Sequence, residues 1–380
     1  MSWASISTSA SRLTGLDSRY GHTAVPCGDR GVLLIGGKPT KRTDPNSACP
    51  VWWLDWPTKV WTPLSFTRGP CVRWGHSTAM VQGRLLLVGG LNSQYNLGDS
   101  WMLDMSRPLR TDWRWQSLDF DESLGVGGYA SLVPRSSAES LAVHFGGLAC
   151  IGGPYEYRNR VALLDTSTSS ASFPRVSGTP PYPRAQHSAV VSSAFGAQHM
   201  LVVGGCNSQE MFADVFSLSL VDWHWSKLRC GGTDPLEPYE LMPADFRIPP
   251  VRLMATAAKG QLLLLSEQAM RTELHTLNLK QDASGELQWK HVHCAAVPDW
   301  YPNGAAVWME RSILCFGGQR KDDIARLDVL SFELEVKWSH IRQLFIGLTD
   351  EKSCLKLLQP VLVQRIVEFL NRPMTFLPEG

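Results

Sequence analysis

The sequence lacks several signatures that would place it in a common functional class. Its nine cysteines include no C-x-x-C pair, no apolar run approaches eighteen residues, and neither a G-x-x-x-x-G-K-S/T phosphate loop nor a G-x-S-x-G elbow occurs. The 36 Lys plus Arg residues balance 35 Asp plus Glu residues, without a basic block. These absences argue against a disulfide scaffold, a membrane span, a P-loop nucleotidase, a serine hydrolase and a nucleic-acid-binding surface.

The cysteine content and the start of the chain bear on its location. The number of cysteines is odd, and several lie in apolar, strand-like segments. This is typical of buried free thiols in a reducing compartment. The first eight residues contain neither a basic segment nor a long apolar core, so we expect no secretory signal. Together these features predict a cytoplasmic protein.

An internal repeat is the strongest positive signal. An aliphatic, strand-like run recurs six times, and in the fifth run Ser266-Glu267 takes the place of a glycine pair. The other five runs end in Gly36-Gly37, Gly89-Gly90, Gly152-Gly153, Gly204-Gly205 and Gly317-Gly318. Steps of 53, 63, 52, 62 and 51 residues separate the successive first positions. A period of about 50 residues is typical of the four-stranded blades of a β-propeller.

The second repeat defines the frame of four strands, a to d. Strand a begins with Arg73-Trp-Gly-His76, strand b is the largely apolar run Arg84–Gly90, and strand d carries a spaced Trp. Because the strand-a Arg and His recur in several repeats, we interpret them as structural rather than catalytic. In the third repeat, the spacing to Gly152 places Glu139 where the His should be, and Phe173 where the Trp should be.

This set of motifs resembles the kelch family of β-propellers over about residues 15–341. The matching features are the R-x-G-H-S/T openings at Arg19 and Arg73, the double glycine, the V-x-x-L-D third strand and the spaced Trp. The resemblance implies a propeller of four-stranded blades and, in that family, mostly protein-binding roles.

We therefore predict an all-β fold, a six-bladed kelch-type propeller over residues 1–341 with a helical extension over 342–380. The N-terminal strand Trp3–Ile6 is predicted to close the ring by joining the last blade. Two alternatives remain open at this point. Trp338 competes for that strand position, and a seventh blade with a degenerate sequence is compatible with the spacing.

The connections between strands indicate which face binds. An antiparallel a-b-c-d blade places its b–c and d–a connections on one face, which we call the loop face. The longest predicted connections, 38–50, 119–135 and 229–251, belong to it, and long loops on a rigid scaffold commonly carry recognition. We predict that the loop face binds a partner protein through Lys38, Lys41, Arg42, Gln94, Tyr95, Tyr155, Tyr157, Arg158, Arg271, Arg320 and Lys321.

The charge of these side chains indicates the chemistry of the partner. Lys38, Lys41 and Arg42 in the first blade lie next to Arg320 and Lys321 in the last blade once the ring closes. This concentration of cations predicts that an acidic segment of the partner binds there. Ordinary solvated loops are the alternative.

The C-terminal extension has a different pattern. Leu358, Leu362, Ile366 and Phe369 recur at helical spacing and predict an amphipathic helix over about 360–371. The stretch 358–370 is similar to part of an F-box motif, although Gln359 interrupts the Leu-Pro pair. That similarity implies a substrate receptor of a ubiquitin ligase, with the extension as its docking element. A cap packed on the propeller is the alternative.

No catalytic constellation is evident. The spacing closest to a metal motif is His291-Val-His293, and no third ligand can be named for it. We therefore predict a non-catalytic scaffold or adaptor that binds other proteins and has no cofactor, no metal, and no nucleic-acid or membrane partner. A structural subunit of a larger assembly is a further alternative.

Overall fold

The computed structural model describes residues 3–5, 19–39, 43–107, 109–120, 128–136, 138–149, 156–232, 254–258, 261–268, 271–281, 284–292, 304–309, 312–319 and 325–333. Strands dominate these ranges, where the only helical segment is the 3-10 turn Arg110–Asp112. None of their segments forms a helix that is long and apolar enough to cross a bilayer. The all-β class is confirmed, whereas the predicted tail helix lies outside the described residues.

Most strands belong to six antiparallel sheets, numbered here in chain order. Sheet 1 contains Thr23–Cys27, Gly31–Ile35, Val51–Asp55 and Val60–Leu64. Sheet 2 contains Ser77–Val81, Arg84–Val88, Ser100–Asp104 and Arg114–Leu118. Sheet 3 contains Ser131–Pro134, Leu141–Phe145, Val161–Asp165 and Ser170–Ser172.

The last three sheets follow the same a-to-d order. Sheet 4 contains Ser188–Ser192, His199–Val203, Val215–Ser219 and His224–Lys227. Sheet 5 contains Met254–Ala258, Gln261–Gln268, Arg271–Asn278 and Leu287–Val292. Sheet 6 contains Ala305–Met309, Ser312–Gln319 and Ala325–Glu333, with the N-terminal Trp3–Ser5 as its outer strand.

Short additional strands extend this plan. Ser177–Gly178 and Cys230–Gly232 pair in parallel with the outer strands of sheets 4 and 5. Two small ladders join Arg19–Tyr20 to Lys38–Pro39 and Leu148–Ala149 to Glu156–Tyr157.

The sheets are arranged radially around one axis. The innermost strand of each sheet contacts the innermost strand of the next one, from sheet 1 through to sheet 6, and that of sheet 6 contacts sheet 1. A cycle of sheets that meet at their inner strands is the architecture of a β-propeller. The predicted propeller fold is therefore confirmed.

The apolar core lies between neighbouring sheets. In strand b of sheet 1, Val32 and Leu34 pack against Phe316 of sheet 6, whereas Leu33 and Ile35 pack in the cluster shared with sheet 2. A strand buried on both faces needs a continuous apolar run, which explains the composition of the repeat. Equivalent clusters join sheets 2 and 3, 3 and 4, and 4 and 5.

The recurrent strand-d tryptophans fill the wedges between sheets, as the sequence indicated. Trp61, Trp115, Trp225 and Trp289 each lie opposite a leucine of strand c and are buried. The ring of Trp225 lies 5.1 Å from that of Phe145 in sheet 3, centroid to centroid. These large side chains supply apolar area where the radial sheets diverge.

The third repeat differs from its predicted alignment. Strand b of sheet 3 ends at Phe145 and is followed by Gly146-Gly147, not by Gly152-Gly153. The sequence interpretation was wrong because Ile151-Gly-Gly imitates the expected motif, whereas the true strand contains His144. With Gly146 in place, the two steps around it become 57 and 58 residues, so the period is more even.

The shift also reassigns two other positions of the third repeat. Ala130, rather than Glu139, precedes the first residue of strand a, because Ser131 pairs with Phe145 as Ser77 pairs with Val88. Ala171, rather than Phe173, faces the leucine of strand c. Because Ser131–Pro134 is strand a, the predicted loop 119–135 ends at residue 130.

Strand b ends differently in sheets 5 and 6 than in sheets 1 to 4. In sheet 5, which has no glycine pair, Gln261–Gln268 pairs with Arg271–Asn278 along its full length, and the b–c connection is reduced to residues 269–270. In sheet 6 the glycine pair lies inside Ser312–Gln319, at a register shift between Phe316 and Gly318. The glycines there produce a bulge rather than a strand end.

Truncation of a wedge tryptophan should strongly destabilise the fold. Trp225→Ala removes a buried ring that contacts both Phe145 and Phe216, so we expect a loss of about 3–5 kcal/mol of unfolding free energy. Urea denaturation would measure it. Val221→Ala, which truncates an exposed side chain, is the control and should change stability by less than about 0.5 kcal/mol. Equal effects of the two variants would contradict the wedge role.

Candidate functional site

The strand-a arginines tie the b–c connections to the propeller. Arg73 and Arg184 are fully buried, and their Nη1 atoms donate to the carbonyl oxygens of Gly89 and Gly204, in both cases at 2.9 Å. The same guanidinium groups pair with carboxylates just before strand c, Asp99 and Asp214 respectively. A planar guanidinium satisfies several acceptors at once, so each one fixes both ends of its b–c loop.

Sheet 1 uses a variation of this arrangement. Arg19 donates from Nη1 to the carbonyl oxygen of Gly36 at 3.1 Å, while Pro50 occupies the position that Asp99 has in sheet 2. The glycine itself is required by close approach, because a Cβ on Gly36 would lie 2.6 Å from the carbonyl oxygen of Arg73. Its φ of +63° also favours glycine.

The b–c loops of sheets 2 and 4 have the same internal structure. In the second loop, the Oδ1 of Asn92 accepts hydrogen bonds from the backbone N–H groups of Gln94 and Tyr95. In the fourth, the Oδ1 of Asn207 accepts hydrogen bonds from the backbone N–H groups of Gln209 and Glu210 in the same way. Such Asx turns fix a loop without a regular strand. Two rigid Asn-Ser-Gln tips therefore project from the loop face.

The strand-a histidines join neighbouring sheets. The Nε2 of His76 lies 2.9 Å from Thr23 Oγ1 in sheet 1, and the Nε2 of His187 lies 2.9 Å from Ser131 Oγ in sheet 3. His22 makes the equivalent link to the carbonyl oxygen of Phe316 in sheet 6, at 3.0 Å. These contacts agree with the structural role that the repeat indicated.

Burial keeps these rings neutral. Burial first, and then the positive charge of Arg73, lower the pKa of His76 to about 3. Burial and then Arg184 lower the pKa of His187 to about 3 in the same way. In sheet 3, burial and then Arg158 lower the pKa of His144 to about 4. Three histidines that would ordinarily titrate near neutrality are thus uncharged in the folded protein.

A cavity of about 240 Å³ lies on the axis at the loop face. It is lined by the beginning of strand a in sheets 1, 2, 3, 4 and 6 and by the ends of the d–a connections that precede these strands. Four equivalent rim positions, Gly21, Gly75, Tyr129 and Gln186, have positive φ values. The N–H of each of the last three donates to the carbonyl oxygen of the one before it, at 2.6–2.9 Å. This continuous chain of backbone hydrogen bonds makes the rim of the loop face rigid.

Five of the predicted contact residues have described side chains. Lys38 is exposed, and its Nζ lies 5.3 Å from the ring of Trp74 and 5.6 Å from that of Tyr20. Gln94 and Tyr95 lie on the rigid tip of the second loop, with 59% of Tyr95 exposed. Tyr157 and Arg158 are half-buried.

The electrostatics of Tyr157 and Arg158 limit their roles. Burial raises the pKa of Tyr157, so its hydroxyl stays protonated and can donate a hydrogen bond. The guanidinium of Arg158 lies 3.3 Å from Glu156, so part of its charge is already compensated. Lys38 is therefore the better candidate to attract an anion.

The other predicted residues fall wholly or partly outside the described part of the chain. Only the backbone of Arg271 is described, at the turn between strands b and c of sheet 5. The docking side chains of the tail and the loop residues Lys41, Arg42, Tyr155, Arg320 and Lys321 lie outside the described residues. Their contacts with a partner stay predictions.

One aromatic group was missed in the sequence. Tyr182 is 69% exposed and stacks on Phe212, with ring centroids 6.3 Å apart and an interplanar angle of 14°. The buried guanidinium of Arg184 lies below, 3.9 Å from the Phe212 ring. Phe212 corresponds to Leu97 of the second repeat, and Tyr182 corresponds to Cys71. Neither residue of the second repeat is aromatic, so the repeat pattern did not indicate this stack.

The described cysteines are free thiols, some of them buried. Cys49, Cys206 and Cys315 are buried, Cys27 and Cys71 are partly buried, and Cys230 is exposed. Burial raises the pKa of Cys49 to about 12, which keeps that thiol protonated. Across the described residues, no group of three or more His, Cys, Asp or Glu side chains is arranged to hold a metal ion.

Comparison with known proteins identifies the repeats. Residues 130–244 match the model of the KLHDC2/KLHL20/DRC7 Kelch-repeats domain. The Rab9 effector protein with kelch motifs of Rattus norvegicus is 29% identical over 191 residues, which cover 47% of this chain and 48% of that protein. Kelch domain-containing protein 3 of Homo sapiens is 30% identical over 230 residues, which cover 57% and 56%. This chain thus spans about half the length of the curated relatives that it matches.

The fold has a counterpart among solved structures. The structure of YjhT aligns with 85% of this chain and 97% of its own, with a TM-score of 0.59 and 13% sequence identity. At that identity the similarity concerns the fold alone. The kelch resemblance that the repeat motifs predicted is supported by the sequence matches.

Removal of one carboxylate should show how much its ion pair with a buried arginine contributes to the free energy of unfolding. Asp214 is 14% exposed in its side chain, so Asp214→Ala leaves the guanidinium of Arg184 buried without its counter-charge. We expect a loss of about 3–5 kcal/mol in urea denaturation. The matched control is Glu156→Ala, which breaks an exposed pair with Arg158 and should cost less than about 1 kcal/mol. A small effect at Asp214 would refute the loop-fixing role.

The neutral histidines should make the protein sensitive to acid. Their folded pKa values lie below the unfolded value of about 6.5, so the unfolded chain takes up the extra protons. The stabilisation is complete above pH 6.5 and is lost as the pH falls towards the folded values. Between pH 7 and pH 5, His76 and His187 should each contribute a loss of about 2 kcal/mol.

Urea denaturation at several pH values would test this dependence. His187→Gln keeps a polar side chain without a titrating ring, so its stability should fall less steeply with acidification than that of the wild type. Val221→Ala, which changes an exposed side chain without a titrating group, should leave the slope unchanged. Parallel slopes for the wild type and His187→Gln would exclude the proposed neutral state.

Proposed function

We propose that this kelch-repeat propeller protein is a non-catalytic binding scaffold that recognises a partner protein through its loop face. The observation that carries the proposal is the presence of exposed aromatic rings on rigid loops around the axial cavity. Tyr95 lies on an Asx-turn tip, and Tyr182 stacks on Phe212 above a buried guanidinium. Aromatic side chains of restricted mobility supply contact area at little cost in conformational entropy.

We propose in addition that the six sheets act as six blades of one closed ring. The cyclic contacts of the inner strands support this, as does the pairing of Trp3–Ser5 with Ala325–Glu333, which joins the N-terminal segment to the last sheet. This pairing would make the ring harder to open between sheets 6 and 1, because opening would also break the hydrogen bonds between Trp3–Ser5 and the last sheet. A closed ring would hold loops from different blades at fixed distances, as a recognition surface requires.

The proposed absence of catalysis rests on how the polar residues are used. His76 and His187, which could serve as acids or bases, are neutral and bonded to neighbouring sheets. Arg73 and Arg184 bind main-chain carbonyl oxygens and carboxylates. The polar groups with the greatest catalytic potential near the axis are thus engaged in maintaining the fold.

The partner segment is proposed to be acidic near sheet 1. Lys38 presents its ammonium group above the rings of Trp74 and Tyr20, so an incoming carboxylate would meet a cation already held by two aromatic faces. One relative is named as a Rab9 effector, a name that implies binding to another protein. By analogy, a protein partner is proposed here, without a claim about its identity.

Substitutions on opposite faces would test the proposal. Partners would be identified by affinity purification and mass spectrometry, purified, and titrated against the full chain. The double variant Tyr95→Asp/Tyr182→Asp should weaken binding by at least about 2 kcal/mol, about thirtyfold in Kd. The control Val221→Asp replaces an exposed residue of a c–d turn on the opposite face and should bind normally.

A separate variant tests whether the partner segment is acidic. Lys38→Glu should weaken binding, and the loss should be greatest at low salt, because salt screens an exposed charge contact. Normal binding by the double variant together with loss in Val221→Asp would assign recognition to the opposite face. If the double variant loses binding but Lys38→Glu binds normally, the loop face is still the binding surface, but the proposal that the partner segment is acidic is wrong.

A further inference from the structure

The tips of the b–c loops in sheets 2 and 4 match in structure but differ in one exposed side chain. Both tips begin with Asn-Ser-Gln and contain the same Asx turn, and the residue that follows is Tyr95 in sheet 2 and Glu210 in sheet 4. The main-chain hydrogen bonds that close the two loops are also equivalent. The exchange therefore changes the chemistry presented at the tip without changing its shape, because sheet 2 offers an aromatic ring and sheet 4 offers a carboxylate.

Glu210 is exposed, and no cation in the described part of the chain pairs with its carboxylate. Two arginines of this region already have partners. Arg184 pairs with Asp214, and Arg158 of the neighbouring sheet lies 3.3 Å from Glu156. Because these two cations are matched within the protein, the carboxylate of Glu210 remains available to a cation of a partner.

The exposed ring of Tyr182 is held against the same loop in a fixed orientation. It stacks on Phe212, which belongs to that loop. The carbonyl oxygen of Tyr182 accepts a hydrogen bond from the Nε of Arg184, and the carbonyl oxygen of Pro181 accepts one from the Nδ2 of Asn159, both at 3.1 Å. Since the backbone is bonded at both residues and the ring is stacked, little conformational freedom is lost when a partner contacts the exposed part of the ring.

A tyrosine ring and a carboxylate presented by one loop region suit the chemistry of arginine. A planar guanidinium can stack on an aromatic face while its N–H groups donate to a carboxylate, and a lysine ammonium has no such plane. The interior side of this loop already shows the combination. The guanidinium of Arg184 lies 3.9 Å from the centre of the Phe212 ring and pairs with Asp214. The exposed side offers the same two types of group, Tyr182 and Glu210.

We propose that Tyr182 and Glu210 bind an arginine side chain of the partner protein. This inference rests on the proposed function of the loop face and adds a contact near sheet 4 that is opposite in charge to Lys38 near sheet 1. A partner segment that is acidic at one end and carries an arginine towards the other is complementary to both contacts. Such a segment binds in one direction only, because the reversed direction places like charges together.

Peptides selected on the full chain from a random phage-displayed library would provide a probe of the site. Those that lose affinity for Tyr95→Asp bind the loop face, and we expect them to contain an arginine. In the synthetic peptide, replacement of that arginine by citrulline keeps the shape and removes the charge, so it should weaken binding at least about fivefold. Glu210→Gln should weaken binding of the arginine peptide about threefold. The matched control Asp29→Asn, which neutralises an exposed carboxylate in an a–b turn on the opposite face, should bind as the wild type does.

A double-mutant cycle would separate a direct contact from general attraction between charges. If the guanidinium meets Glu210, then Glu210→Gln should change the affinity of the citrulline peptide by less than about twofold. Tyr182→Leu, which keeps an apolar side chain without the aromatic face, should also weaken binding of the arginine peptide more than that of the citrulline peptide. Additive losses in the cycle, or equal affinities of the two peptides for the wild type, would overturn the proposal.

The selection also distinguishes failure of this inference from failure of the loop-face function. Peptides that require Tyr95 but contain no arginine would overturn the arginine site and leave the loop face as the binding surface. If no selected peptide is sensitive to Tyr95→Asp, both proposals are wrong.

Discussion

The burial of a guanidinium group in each of sheets 1, 2 and 4 is the constraint on which the candidate binding face depends. Arg73 and Arg184 lie where no water can reach them, so their charges must be matched by protein acceptors. The acceptors are the glycine carbonyl at the start of the b–c loop and the carboxylate at its end. An electrostatic requirement of the interior therefore determines the loop geometry. It makes rigid both the exposed Tyr95 and the buried Phe212 on which Tyr182 stacks.

The contacts between sheets follow from the same repeated residues. The histidine three residues after the arginine reaches the preceding sheet, and a strand-d tryptophan fills the wedge further from the axis. Sheet 3 has Ala130 and Ala171 at these two positions, so it contributes neither group. The stacking of Arg160 on Phe173, with the guanidinium carbon 3.4 Å from the ring centre, supplies an alternative contact at the edge of that sheet. Erosion of the motif is thus compensated locally without loss of the propeller.

The sequence was most informative where one requirement recurs, as with the strand-b runs of Val32–Ile35 and Leu85–Val88, buried on both faces. It failed where a chance motif competed. Gly152-Gly153 was assigned to the third repeat, whereas the actual pair, Gly146-Gly147, follows a strand whose apolar run is interrupted by His144, a ring that is buried and neutral. The stack of Tyr182 on Phe212 was not predictable, since it joins a d–a connection to a b–c loop through the tertiary fold. The cavity rim was equally hidden, because Tyr129 and Gln186 adopt the left-handed conformation that sequence reasoning reserves for glycine.

The absence of the glycine pair in sheet 5 changes how strand b ends and how it connects to strand c. A glycine pair with positive φ ends strand b and opens a long loop in sheets 1 to 4. With Ser266 and Glu267 there instead, the ladder continues to Gln268 and Arg271, and the strands form a simple hairpin. Strands c and d pair in regular register here as they do in sheets 1, 2 and 4, and this register places His275 opposite His291. In the described residues of sheet 5 no buried arginine network is present, and the cross-strand pair of His275 and His291 rings is one of the contacts that hold its strands together.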